Sequence, residues 1–278
     1  MAGRATSRTV DPAGDPGVAV IEVRGLNAHY GARQILFDVD VAVERGEIMV
    51  IMGGSGSGKS TLLRHLVGLE RPSDGSIRLL GQDIARIRPL ELQAVRRRIG
   101  VAFQGGALFS SMTVAENIML PLQEHTSLDR RTMEIMARMK LEVVNLSGFG
   151  ELMPAELSGG MLKRAAVARA IIMDPQLLFF DEPSAGLDPV VSSALDDLIL
   201  ELRDAMDMTV VVVTHELESA LGIADRITVL DGGRILTIGS VDEVRNSDNE
   251  RIQNLLNRRS ADTDVDAADY LRRLTGVG

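Results

Sequence analysis

Residues 53–60 read G-G-S-G-S-G-K-S, directly after an apolar run at Ile48–Met52 and directly before a helical pattern that starts near Ser60. This is the spacing of a phosphate-binding loop, G-x-x-x-x-G-K-[ST], in the strand-to-helix context that gives the pattern meaning. Gly53, Gly54, Gly56 and Gly58, with Ser55 and Ser57 between them, let the backbone turn tightly and aim several N–H groups at one anion. The helix N-terminus adds its partial positive charge. Lys59 is placed to reach β- and γ-phosphates, the Ser60 hydroxyl to bind Mg2+, and Thr61 to support a phosphate. A flexible Gly/Ser linker is the alternative, but it does not explain a Lys-Ser pair that follows a buried strand. A second constellation, residues 177–182, reads L-L-F-F-D-E. Four apolar residues make a strand, and two carboxylates follow at its C-terminal end, where ligands sit in open α/β sheets. Asp181 can hold Mg2+ there, directly or through water, and Glu182 can polarise an attacking water as general base. In a third, residues 157–161, L-S-G-G-M opens a helical pattern. Ser158, Gly159 and Gly160 at a helix N-terminus form an anion site without a lysine. One chain thus carries two half-sites for a triphosphate.

These residues need elements to hold them. Ile48–Met52 and the runs at 99–103, 177–181, 210–213 and 227–230 read as short buried strands of the kind found in parallel sheets. Two earlier segments, 19–29 and 35–43, also read as strands; the second sets Ile35, Phe37, Val39, Val41 and Val43 on one face. Helical patterns between several strands imply an α/β fold with a mainly parallel sheet. The stretch 113–172 breaks that alternation. It holds helical patterns at 113–120, 130–144 and 160–172 and no strand pattern, so a helical subdomain inserted between two core strands is expected. Residues 1–17 are expected to form a short disordered tail. Arg4 and Arg8 precede no apolar segment there, so it is not read as a signal peptide. After Val244 the chain turns polar, and 265–274 carries a last amphipathic pattern that fits a helix.

Composition narrows the function classes. With 278 residues the chain can bury one large core, or a core and a small subdomain. It has no cysteine, which excludes disulfides and Cys-metal sites. Its net charge of −9 argues against a nucleic-acid partner, which calls for a basic face. Arg96, Arg97 and Arg98 read instead as a solvated helix end, and 3% aromatics supply no base-stacking platform. The apolar runs are strand length, short of the roughly 18 residues a membrane span needs, so any membrane role must come through a partner.

Taken in order, these motifs resemble the ATPases of ABC transporters. Residues 157–161 are similar to that family's signature sequence, which usually ends in Gln where this chain has Met161. The resemblance then extends to single positions. Tyr30, before Gly31, matches the aromatic that stacks on adenine. Gln104 matches the glutamine that contacts Mg2+ and the attacking water. Residues 184–188, S-A-G-L-D, match the loop that crosses the dimer interface, which brings Asp188 into the nucleotide-binding set. His215 matches the switch histidine that touches the γ-phosphate. The resemblance covers residues 18–239. It implies a P-loop NTPase core with a mainly parallel sheet, an N-terminal antiparallel β subdomain, and an α-helical subdomain at 105–172. It places an ATPase domain at 18–245 and a C-terminal extension at 246–278. ATP and Mg2+ are the implied cofactors. Glu182, His215, Gln104 and Lys59 are the implied catalytic set, and Ser60, Gln104 and Asp181 the implied Mg2+ set. The implied assembly is a homodimer, in which one subunit's signature covers the nucleotide of the other, joined to transmembrane permease subunits at the cytoplasmic face of the inner membrane.

A narrower likeness lies in residues 103–126, 157–164 and 247–253, which are similar to the ATPase subunit of Mce-protein-linked phospholipid transporters, the Mla type. It implies phospholipid transport and outer-membrane lipid asymmetry, with Mce-domain and lipid-binding proteins as partners. The alternatives are an ABC ATPase for another small-molecule importer, or a soluble non-transport ABC ATPase; the latter usually carries two such domains or a long coiled coil. A binding module that never hydrolyses is opposed by Glu182. Beside Gln104, the apolar residues Ala107, Leu108, Phe109 and Met112 either form a docking groove for permease helices or pack the helical subdomain.

Overall fold

The structure, a computed structural model, describes residues 19–257. It opens with two long strands, β1 (Ala19–Tyr30) and β2 (Arg33–Glu44). There follow β3 (Ile48–Met52), α1 (Lys59–Leu66), β4 (Asp74–Leu79), β5 (Gln82–Asp83), α2 (Pro89–Arg96) and β6 (Ile99–Ala102). Then come α3 (Val114–His125), α4 (Arg130–Val143), a 3-10 turn (Pro154–Glu156) and α5 (Gly159–Ala170), with no strand among them. Alternation resumes with β7 (Leu177–Asp181), α6 (Pro189–Met206), β8 (Thr209–Thr214), α7 (Leu217–Ile223) and β9 (Arg226–Asp231). The described chain ends with β10 (Arg234–Ser240), α8 (Val241–Arg245) and α9 (Glu250–Leu256).

The central sheet has the order β10-β9-β3-β8-β7-β6, and all its pairs are parallel except β10 with β9. Its strands feed two cores. Ile48, Val50, Met52, Leu178, Phe180, Val210 and Val212 face one. Met49, Ile51, Leu177, Phe179, Val211 and Val213 face the other. A sheet covered on both faces has few polar positions, which is why these strands read as near-continuous apolar runs. Phe179 and Phe180 are fully buried on opposite faces, and cutting either back to Ala would cost about 3–5 kcal/mol. The first core is packed by residues of α3 to α7. The second is covered by the antiparallel sheet β2-β1-β4-β5 and by α1 and α2.

Side-chain caps set the starts of the inserted helices. Thr113 accepts from the Glu116 N–H while Glu116 reaches back to the Thr113 N–H; Asp129 caps α4, and Ser158 caps α5 through the Met161 N–H. Asn117, fully buried, fixes the loop before α3. Its side-chain oxygen accepts from the Phe109 N–H at 2.7 Å, and its amide reaches the carbonyls of Phe109, Met112 and Thr113.

The structure departs from the sequence reading at several ends. β1 runs on to Tyr30, and β6 stops at Ala102, which puts Phe103 outside the sheet. α3 continues past Leu120 to His125 although Pro121 lies inside it. Proline deprives a helix of one backbone bond. Met119 and Leu122, buried on either side, supply packing that outweighs that loss. β4, β5 and β10 were not legible. β4 begins with Asp74-Gly75, a turn signal, and β10 is a half-buried edge strand. In the stretch read as an extension, α9 buries Ile252 in the first core and pairs Arg251 with Asp231 at 2.9 Å. The tail at 1–17 and the amphipathic pattern at 265–274 lie outside the described residues. Among the described residues no helix is long and apolar enough to cross a membrane.

Candidate active site

The phosphate loop hangs between β3 and α1, at the C-terminal end of the central strand. Its floor is β9. A Cβ on Gly53 would collide with the Leu230 carbonyl oxygen, so only glycine lets the loop settle there. Gly56 and Gly58 sit at φ +75° and +106°, in the left-handed region that glycine tolerates best. The Gly233 N–H donates to the Ser57 carbonyl at 2.9 Å, so the β9–β10 turn also anchors the loop. Lys59 Nζ donates to the carbonyls of Gly53 at 2.7 Å and Gly54 at 3.1 Å.

This loop forms one wall of a cleft of about 800 Å³. Gly53, Gly54, Ser55, Gly56, Lys59, Ser60, Gln104, Asp181, Glu182 and His215 all line it. Parallel pairing explains the convergence: β3, β7 and β8 end side by side, so residues far apart in sequence meet at one edge. Glu182, just past β7, has φ +49°, a conformation uncommon for a residue with a Cβ. Its Oε2 accepts from Thr214 Oγ1 at 3.2 Å and the His215 N–H at 3.3 Å, and lies 2.9 Å from His215 Nδ1. A carboxylate only accepts, so Nδ1 carries the proton in that contact.

The electrostatics fit an anionic ligand with a cation. Burial lowers the pKa of Lys59, and the charges of Glu182 and Asp181 hold it up. Burial pushes the Asp181 carboxyl up, and the neighbouring Glu182 pushes it further; Lys59, Arg64 and Lys163 offset this in part. Hard oxygen donors, a hydroxyl at Ser60 and a carboxylate at Asp181, suit Mg2+, which is held by one or two carboxylates together with substrate phosphates.

Other expected site residues lie elsewhere. Ser57 and Thr61 are buried rather than lining the cleft. Tyr30 ends β1, 45% exposed; its hydroxyl donates to Glu70 Oε1 at 3.1 Å and accepts from Arg64 at 3.2 Å. Ser158 and Gly159 are exposed and do not line their own chain's cleft. They pack beside the 184–188 loop and the start of α6: Leu187 approaches Gly159, and Val191 of α6 leaves no room for a Cβ on Gly160. Asp188 caps α6, accepting from the Val190 and Val191 N–H groups at 3.1 Å. Of the four loop apolars, Leu108 packs on the first core and Phe109 is 53% exposed.

Residues 36–185 match the ABC transporter family. The chain belongs to that family, as an ATP-binding and hydrolysing subunit. This ABC ATPase is 40% identical over 259 residues to the intermembrane phospholipid transport system ATP-binding protein MlaF of Haemophilus influenzae, spanning 92% of this chain and 98% of that protein. It is 41% identical to MlaF of Escherichia coli K12, over 85% of this chain and 88% of that one. A Mycobacterium leprae protein named "Probable ribonucleotide transport ATP-binding protein mkl" is 40% identical, with 87% of this chain and 70% of that protein covered. Among solved structures, the dimeric ATP-binding cassette MJ0796 bound to ADP and Pi is 29% identical with a TM-score of 0.73, covering 80% of this chain and 98% of that one.

The ABC ATPase cleft includes residues that the motif reading missed. Asn254 and Leu255 line it from α9, and Glu216 from the turn after β8. Nothing in a polar C-terminal stretch marks them, because their place depends on how α9 folds back over β9. Lys163, outside the cleft lining, was missed too: it donates to the Glu182 carbonyl at 3.0 Å from the signature helix.

Proposed function

We propose that this ABC ATPase powers a phospholipid transporter, acting as a homodimer that holds ATP between its subunits and drives a membrane permease from the cytoplasmic face of the inner membrane. The observation that carries the cargo is the near end-to-end likeness to MlaF of H. influenzae, 40% identical over 92% of this chain and 98% of the relative. The dimer is supported by the exposed signature residues, which do not line their own cleft, and by the dimeric state of the similar cassette. Mce-domain and lipid-binding proteins complete the proposed assembly.

In this reading the 53–60 backbone and Lys59 bind the β- and γ-phosphates, and the Tyr30 ring stacks on adenine. Ser60, Asp181 and Gln104 hold Mg2+, which supplies charge neutralisation at the transferred phosphoryl group. Glu182 takes the proton from the attacking water. His215 and Thr214 keep its carboxylate aimed, and His215 is the residue that touches the γ-phosphate. Ser158, Gly159 and Gly160 of the second subunit close the other side with N–H groups, and Asp188 holds the interface loop beside them. Fixed donors around spreading charge are the main source of rate.

The test is the cargo. The subunit, reconstituted with its permease in phospholipid vesicles, should hydrolyse ATP faster when phospholipid is presented to the complex. The name of the mycobacterial relative supplies the comparator. Stimulation by ribonucleotides with none by phospholipid would remove the phospholipid reading and leave the ATPase standing.

A further inference from the structure

Glu182 is held at three points. Its N–H donates to the Val213 carbonyl at 2.8 Å, and its carboxylate meets Thr214 and His215, so two ties come from β8 and the turn after it. The third is its carbonyl oxygen. That oxygen accepts from the Ala185 N–H at 3.3 Å within its own turn, and from Lys163 Nζ at 3.0 Å. Of these ties, Lys163 alone belongs to the helical insertion. The geometry matters because φ of Glu182 is +49°, where a residue with a Cβ stays only if its surroundings over-determine it. A peptide free to rotate about this residue would swing the carboxylate away from the end of β8.

Lys163 is an uncommon choice for a carbonyl partner. It is half-buried, and burial opposes its charge while Glu182 and Asp181 sustain it. A desolvated ammonium is costly unless it is paired and hydrogen-bonded. Here the hydrogen bond goes to the Glu182 carbonyl, and the negative charges of Glu182 and Asp181 help sustain the ammonium. Lys163 also lies on α5, whose N-terminus carries Ser158 and Gly160. α5 leans on the interface loop through Gly159 against Leu187, and on the start of α6 through Gly160 against Val191.

We propose that Lys163 is a positioning residue for hydrolysis: from the signature helix it fixes the backbone of Glu182, so each chain's general base is set by the same helix that serves the second subunit's nucleotide. The inference rests on the reading of Glu182 as the base. It has a consequence for the dimer. A signature helix drawn toward the opposite nucleotide carries Lys163 with it, and so adjusts the base of its own site. The two sites are then coupled through α5, and such coupling acts in both directions.

The experiment compares Lys163→Met, which keeps length and loses the donor, with Lys163→Arg, which keeps a charged donor, and with Glu182→Gln, all in the full-length chain. Lys163→Met should lower kcat by about 10²-fold, the loss expected of a misplaced catalytic group, with KM near that of the wild type. It should also accumulate an ATP-bound dimer in gel filtration, as is expected of Glu182→Gln. Lys163→Arg should recover most of the rate. Wild-type kcat in Lys163→Met beside an inactive Glu182→Gln would overturn the proposal and spare the base. An active Glu182→Gln would remove the base reading itself. Equal losses in the Met and Arg variants would overturn the proposal, because the donor would not be what matters. So would a lowered melting temperature with no ATP-driven dimer, which would make Lys163 a structural residue only.

Discussion

Tyr30 shows how a single side chain gains a role from neighbours that the sequence places far from it. The match to an adenine-stacking aromatic concerns only its ring. The structure adds an anchor: Glu70 accepts from its hydroxyl, and Arg64 binds both Tyr30 and Glu70. Tyr30→Ala should weaken ATP binding by about 1–3 kcal/mol, the range for base–aromatic stacking. Tyr30→Phe keeps the ring and loses the anchor, which lies in solvent reach. A smaller loss follows, below about 1 kcal/mol. Nucleotide titration by fluorescence or calorimetry separates the two, and equal losses in both variants would mean that the ring does not stack. The residues legible in the sequence were those whose chemistry is written contiguously, as in Gly53 to Lys59 or Asp181 with Glu182. Lys163 and Glu70 could not be read that way, because their partners are set by packing between elements.

The pairing of α6 with α7 carries a pH dependence. Asp196 on α6 is half-buried; burial raises its carboxyl above the ordinary carboxylate value of 3.8, and Ser219 Oγ, donating from α7 at 2.5 Å, lowers it only in part. Asp197 beside it adds to the rise. A carboxyl raised in the folded state favours folding when protonated. Its contribution is therefore full below pH 3.8 and is lost as the pH climbs through the folded value. Asp196→Asn keeps an acceptor for Ser219 and removes the titration. It should raise the melting temperature by about 2 °C at neutral pH, a shift worth less than 1 kcal/mol at this exposure, and by nothing in acid. Melting curves at both pH values decide it: a gain that persists in acid would place the effect in packing. At this scale the sequence revealed β3, β7, β8 and β9, because strands covered on both faces are nearly continuous apolar runs. It concealed β4, β5 and β10, whose edges or single buried faces leave room for polar residues.

In the whole molecule the signature residues lie outside the cleft that the phosphate loop lines, and a mixing experiment tests the proposed shared site. A subunit with Lys59→Ala has no phosphate lysine, and one with Ser158→Arg has a blocked signature. Either homodimer should lose hydrolysis by on the order of 10²-fold, the loss seen on removing one stabilising donor. In the mixed dimer one site collects both defects, while the other joins an intact Lys59 to an intact Ser158. Phosphate release should therefore return in part on mixing. Return in a preparation shown by light scattering to stay monomeric would contradict the shared site. The dimer itself was legible only through resemblance, in the signature motif and the 184–188 loop. The placement of that motif away from its own cleft is a property of how α5 packs, and no spacing in the chain reports it.

The position of β3 also governs when this protein can become active. Its Val50 pairs with Val212 on one side and Ile227 on the other, both late in the chain. The phosphate loop that follows rests on Leu230 and Gly233. At about 5–20 residues per second of synthesis, roughly 10–40 s separate the emergence of Gly53 from that of its floor. For most of that interval Ile48–Met52 is an apolar strand with neither neighbour made, a segment for chaperones to cover. A chain released early holds the lysine and the glycines and still has no nucleotide site. The topology thereby withholds ATP turnover from copies that stop short of β8 and β9, and the site is completed only when those late strands are made.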